Sequence, residues 1–254
     1  MPRPERAFRT AALILKRRDF GEADRDLTIL TPEHGKLDVI AKGARKPTSH
    51  QTGHVELFTR TELLIHRGRE LGVVSQAELS APYLLLREDL TRGAYASFAA
   101  ELADRFTGEE DADYPELFTL LDDTFSRLCD TADEPRLAIR YYEMRLLDAT
   151  GFRPELNECV VSRDEVQPQD QFFSAALGGV VSPGWAHDGS SAVPISLNAL
   201  KLLRHLQRSP YSHVRSLTIA PALHDETERL MLGYLTFVLE RRLQSVDFIR
   251  RLRR

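Results

Sequence analysis

The sequence predicts an α+β multidomain chain, with a small N-terminal β-barrel over residues 1–80 and an α-helical domain over residues 81–254. Apolar residues keep a strand-like rhythm as far as Leu79, and after Pro82 they recur every three to four positions. A chain of 254 residues is also long for a single core.

Five strands are predicted in the first part, over Phe8–Leu15, Asp26–Leu30, Lys36–Lys42, Val55–Ile65 and Gly72–Leu79. Turn signals at Asp19-Phe20-Gly21, Thr31-Pro32-Glu33-His34-Gly35 and Arg67-Gly68 separate them. Five strands in so short a stretch, joined by basic loops, match an OB-fold barrel.

Helices are predicted beyond Pro82. Tyr95, Phe98, Leu102 and Phe106 share one face, Leu117, Leu121, Phe125 and Leu128 a second, and Leu137, Tyr141, Met144 and Leu147 a third. Pro135 suits a first helical turn and Gly151 a helix C-cap. The run Gly108-Glu109-Glu110-Asp111-Ala112-Asp113 reads as an exposed acidic loop. Prolines and paired glycines between Pro154 and Pro194 predict a loop-rich insert over 152–195, after which helices resume at Leu197.

A net charge of -4 hides a division along the chain. Residues 1–80 carry +3, residues 81–150 carry -9 and residues 151–254 carry +2. A basic end segment can meet a polyanion while the acidic middle keeps the chain soluble. The two cysteines, Cys129 and Cys159, are too few for a disulfide framework. With no apolar run of membrane-spanning length and no signal-like start, the expected location is cytoplasmic, with no membrane partner.

The segment Gly35-Lys36-Leu37-Asp38-Val39-Ile40-Ala41-Lys42-Gly43-Ala44-Arg45-Lys46 carries the chemistry. A period-2 strand buries Leu37, Val39 and Ala41 and sets Lys36 and Lys42 on the exposed face. Gly43 then frees the backbone to bend, and Arg45 and Lys46 follow at once, an arrangement able to hold phosphates. The plainer reading is an edge strand with solubilising lysines. Lys36, Lys42, Arg45 and Lys46 are the first candidates for contact with a nucleic-acid backbone, with Lys16, Arg17 and Arg18 next.

Phe8, Phe20 and Phe58 are the only aromatics in residues 1–80, a meagre supply for stacking bases, so phosphate contacts should dominate. The Walker loop, G-x-S-x-G, H-E-x-x-H and G-x-G-x-x-G are all absent, which argues against the enzyme classes they mark. The eight histidines are scattered, and the acidic residues read as solvated helix faces. The tail from Arg241 to Arg254 carries six arginines, readable as a nucleic-acid arm or as a complement to a helix dipole.

The stretch Ala11-Ala12-Leu13-Ile14-Leu15-Lys16-Arg17-Arg18-Asp19-Phe20-Gly21-Glu22-Ala23-Asp24, with Gly35-Lys36 and Ala41-Lys42-Gly43-Ala44-Arg45-Lys46, resembles the opening of the bacterial recombination mediator family RecO. Leu86-Arg87-Glu88-Asp89-Leu90, Tyr142-Glu143-Met144-Arg145-Leu146-Leu147 and Gly178-Gly179 extend the likeness along the chain. The resemblance implies a non-enzymatic protein that binds single- and double-stranded DNA, anneals strands, and works with RecR and single-strand-binding protein to load recombinase. Many members hold zinc with two C-x-x-C pairs. The matching positions here are Cys159, Ser162, Ser182 and Trp185, so no metal and no other cofactor is expected, and Trp185 is expected to hold the insert by packing.

The resemblance also implies binding of the acidic, apolar C-terminal tail of single-strand-binding protein by the helical domain. Arg140, with Tyr141 and Met144 beside it, is the candidate to place a guanidinium at the lip of an apolar groove, or else a surface arginine offsetting nearby carboxylates. Two other classes stay open. A metal-dependent nucleic-acid enzyme needs converging carboxylates, and a protein-binding scaffold uses the barrel without DNA.

Overall fold

The computed structural model describes residues 7–46, 49, 51–68, 71–108, 114–186 and 191–252. The predicted acidic loop at 109–113, His50 and His187 lie outside them. The chain divides into two compact units, Met1–Asp130 with Gln244–Arg254, and Thr131–Leu243.

The first unit opens with five strands, β1 (Ala7–Phe20), β2 (Asp24–Thr31), β3 (Gly35–Ala41), β4 (Arg60–His66) and β5 (Gly72–Ala81). They close into a barrel in the order β1-β2-β3-β5-β4, in which only the β3–β5 pair is parallel. This is the expected OB-like barrel. Alternation fills it, because Ala12, Ile14, Leu27, Ile29, Val39, Leu63 and Ile65 all point inward and are at most 1% exposed. β1 runs through Asp19-Phe20, and the turn falls one step later, around Gly21, whose φ of 56° suits glycine. β4 starts at Arg60 rather than Val55. Phe58 there has a φ of 64°, and its N–H bonds to the carbonyl of Ile14 beside an irregularity in β1, so the chain bends before it pairs.

Three helices follow, α1 (Leu85–Glu88), α2 (Leu90–Phe106) and α3 (Pro115–Cys129). Asp89 caps α2, its carboxylate accepting from the N–H groups of Thr91 at 2.9 Å and Arg92 at 3.0 Å. The C-terminal helix of the first unit, numbered α8 in chain order (Gln244–Leu252), returns to α2. Glu101 of α2 accepts from the N–H groups of Gln244 and Ser245 and from the Ser245 hydroxyl, so it caps the start of α8. The arginine-rich tail is thus partly a docked helix with Arg250 and Arg251 exposed.

The second unit holds α4 (Pro135–Ala149), β6 (Gln171–Ser174), β7 (Gly179–Val181), β8 (Val193–Ile195), α5 (Leu197–Arg208), α6 (Tyr211–Val214) and α7 (Pro221–Leu239). α4 ends as the sequence predicts. Gly151 takes a φ of 82°, its N–H bonds to the carbonyl of Asp148, and the Phe152 N–H reaches back to Leu147 at 2.8 Å. The insert is more ordered than expected, for β6 is the centre of a three-stranded antiparallel sheet in the order β7-β6-β8. Its strands of three or four residues are too short to show a period in sequence.

Candidate nucleic-acid interface

Three strand ends meet at one corner of the barrel. The register sets Arg25 of β2 beside Ala41 of β3 and Asp19 of β1, so Lys42 leaves β3 next to the β1–β2 turn. The loop after Lys42 is pinned to that turn. The Gly43 N–H donates to Asp24 Oδ1 at 2.7 Å, the Arg45 N–H donates to the Ala23 carbonyl at 2.9 Å, and Gly43 supplies the left-handed φ of 66° that the bend requires. Thr52 holds the far side through its hydroxyl, which donates to the Ala44 carbonyl at 2.8 Å.

The seven expected DNA-contacting residues separate into two groups. Arg18, Lys42, Arg45 and Lys46 are exposed around this corner. Among the described residues Arg45 alone of the four has an ion pair, to Asp19 at 3.5 Å. The others point inward to carboxylates. Lys16 Nζ lies 2.6 Å from Asp104 Oδ2, and Lys36 Nζ lies 3.3 Å from Asp104 Oδ1 and 2.8 Å from its carbonyl. Arg17 and Arg25 share Glu56, Arg25 at 2.7 Å.

Lys36 therefore does not share an exposed face with Lys42. Its side chain is 14% exposed, because α2 packs where solvent was expected and presents Asp104. Burial works against the Asp104 carboxylate, but the Lys16 hydrogen bond and the Lys36 charge outweigh it and hold its pKa below the ordinary carboxylate range. Arg25 was missed in sequence. Nothing local marks it, and its partner Glu56 is 31 residues away.

With the geometry in view, comparison with known proteins identifies the lineage. The family models for the Recombination protein O N terminal and C terminal match residues 6–83 and 87–247. The chain belongs to the RecO family. Its relatives include a protein named DNA repair protein RecO from Roseiflexus sp., 42% identical over 245 residues, covering 96% of this chain and 86% of the relative. Similarly named proteins from Desulforudis audaxviator and Dehalococcoides mccartyi are 36% and 33% identical over 246 residues, each covering at least 96% of both chains.

The second unit shows the four positions at which the resemblance implies zinc ligands, Cys159, Ser162, Ser182 and Trp185. Cys159 is fully buried, and its Sγ accepts the Ser182 N–H at 3.3 Å. Burial disfavours its thiolate, but backbone N–H groups of Ser162, Ser182 and Val161 and the Ser162 hydroxyl aim at the sulfur and bring its pKa down to about 6. One good donor with two serines and an indole does not make a zinc site. Among the described residues, no cluster of three or more His, Cys, Asp or Glu could hold a metal. Trp185, expected to pack the insert together, is 49% exposed; Leu156, Cys159, Phe173, Val180 and Ile195 are among the residues buried there instead.

The candidate partner-binding residues also take an unexpected place. Arg140, Tyr141 and Met144 are buried, at 4%, 7% and 1% exposed. Arg140 pairs with the fully buried Glu143 at 2.7 Å, and nearby Arg136 pairs with Glu228 at 3.6 Å and with Asp225. A guanidinium at the lip of a groove is not what α4 presents. The helix turns Arg140 inward because Glu143, one turn on, is itself enclosed. Among the described residues no helix is long and apolar enough to cross a membrane.

Proposed function

We propose that this RecO-family chain is a DNA-binding mediator of recombinational repair that anneals complementary strands and helps load recombinase onto DNA coated by single-strand-binding protein. RecR and the C-terminal tail of single-strand-binding protein are its protein partners in this reading. The observation that carries it is the corner where the pinned loop after β3 sets the exposed Lys42, Arg45 and Lys46 beside the β1–β2 turn, with the exposed Arg18 near the end of β1.

Cations on long side chains contact phosphate oxygens without reading base edges. Binding is then indifferent to sequence and leaves most bases free to pair, as annealing requires. The fixed loop supports this role, since the Gly43 and Arg45 N–H groups tie it to the β1–β2 turn independently of the Arg45 guanidinium, which also reaches Asp19 and the Gly21 carbonyl. Gel shifts with single-stranded and duplex DNA at two salt concentrations test it. Both should bind at low salt with little sequence preference, and both should weaken together as salt rises. Failure to bind either at low salt would leave a protein-binding scaffold as the better account.

A further inference from the structure

β3 pairs with β5 only from Val39–Gly72 to Ala41–Val74. Its first half, through Asp38, lies beside β2 on one edge and has no described strand on the other. A groove of about 310 Å³ opens there, at the lower end of the range for ligand pockets. Val39 and Ile65, each 1% exposed, line its depth with the half-buried Phe8 and Leu37. Gly72 brings bare main chain to this floor, where a Cβ would stand 2.8 Å from Ile65 Cγ2 and 3.2 Å from Val39 Cγ1.

The rim is polar. The exposed Arg67 lays its guanidinium over the Phe8 ring, 5.1 Å from the centroid. Asp38 uses Oδ1 to accept the Thr28 hydroxyl at 2.6 Å, which leaves Oδ2 for a ligand N–H. Among the described residues, an apolar floor, an aromatic face, one carboxylate acceptor and two cations, the mobile Arg67 and the Lys36 that Asp104 holds, match a flat ring that has polar edges and is joined to phosphate. Phosphate alone would gain nothing from the floor and would meet Asp38.

We propose that this groove takes one nucleobase of single-stranded DNA. The base lies over Phe8 in the place Arg67 now holds, Asp38 accepts one of its N–H groups, and Arg67 moves to a flanking phosphate. This rests on the nucleic-acid reading and deepens it. The phosphate-binding corner sets affinity, whereas the groove adds a preference for unpaired DNA, since a base stacked in a duplex cannot enter.

Fluorescence anisotropy with oligodeoxycytidylate and an equally long chain of abasic units tests the groove. Wild type should bind the base-bearing chain about tenfold more tightly. Phe8→Leu keeps the apolar filling but removes the aromatic face, and should bring that ratio close to one with abasic affinity unchanged. Asp38→Ala, at the exposed rim, should lower the ratio too, and decides alone if Phe8→Leu does not fold. Equal wild-type affinities, or an unchanged ratio in the variants, would overturn the groove while leaving DNA binding intact. Binding to neither chain would overturn the nucleic-acid reading itself, and the groove with it.

Discussion

Asp104 governs how many cations of the barrel a polyanion meets, because one carboxylate on α2 holds both Lys16 and Lys36. Asp104→Asn should release them. DNA affinity should rise, and the log-log salt slope on single strands should steepen by about 1.4 if both lysines reach phosphates. The same change should alter acid stability. A carboxylate whose folded pKa is depressed stabilises the fold above its unfolded value of about 3.9 and loses that contribution as pH falls through the folded value. Urea melts across the acid range should show that loss in wild type and not in the variant. At this scale the sequence was half legible. Gly43, Arg45 and Lys46 declare a bent cationic loop through local spacing. The fate of Lys36 depends on a residue 68 positions away, which no local pattern reports.

Among the elements, α4 and the insert show how a correct boundary can enclose the wrong chemistry. Pro135 and Gly151 mark both ends of α4, yet the alternation of Arg140 and Glu143 on it gives no sign that both are buried. Above pH 8, where Glu143 is ionised, Arg140→Ala should cost about 3–5 kcal/mol in denaturant unfolding by stranding an enclosed carboxylate, whereas Arg140→Met combined with Glu143→Leu should come close to wild type. Burial pushes Glu143 up to about 8, with Arg140 lowering it and Glu228 raising it. An acid raised in the fold binds its proton more tightly there than in the unfolded chain. Its contribution is therefore full below the unfolded value and declines as pH climbs toward 8. Glu143→Gln should remove that decline in thermal melts between pH 5 and 8. In the insert, backbone donors converge on Cys159, while Ser162, Ser182 and Trp185 offer no good metal ligand beside it. Metal analysis of purified protein should find no stoichiometric zinc, and chelator should leave its melting temperature unchanged; one zinc held per chain would contradict this.

For the whole molecule, the switch from a period of two to one of three to four foretold a barrel followed by helices, and charge counted by segment foretold a basic start and an acidic middle. What the pattern could not foretell is where the acidic residues go. Asp104 and Asp122 of the helices turn to the barrel's Lys16, Lys36 and Arg60, the last pair at 2.5 Å, so part of the segmental contrast is cancelled within the first unit. In the proposed function, the cations that remain exposed at the corner are those that DNA meets. The titration that tests this most directly follows single-stranded DNA binding over a salt series, for wild type and for the variant with Arg18, Lys42, Arg45 and Lys46 all changed to Ala. Four neutralised phosphates give a log-log slope of roughly -3 in wild type, and the variant should bind weakly with a slope near zero; an unchanged slope in a folded variant would contradict the assignment and place the phosphate contacts elsewhere.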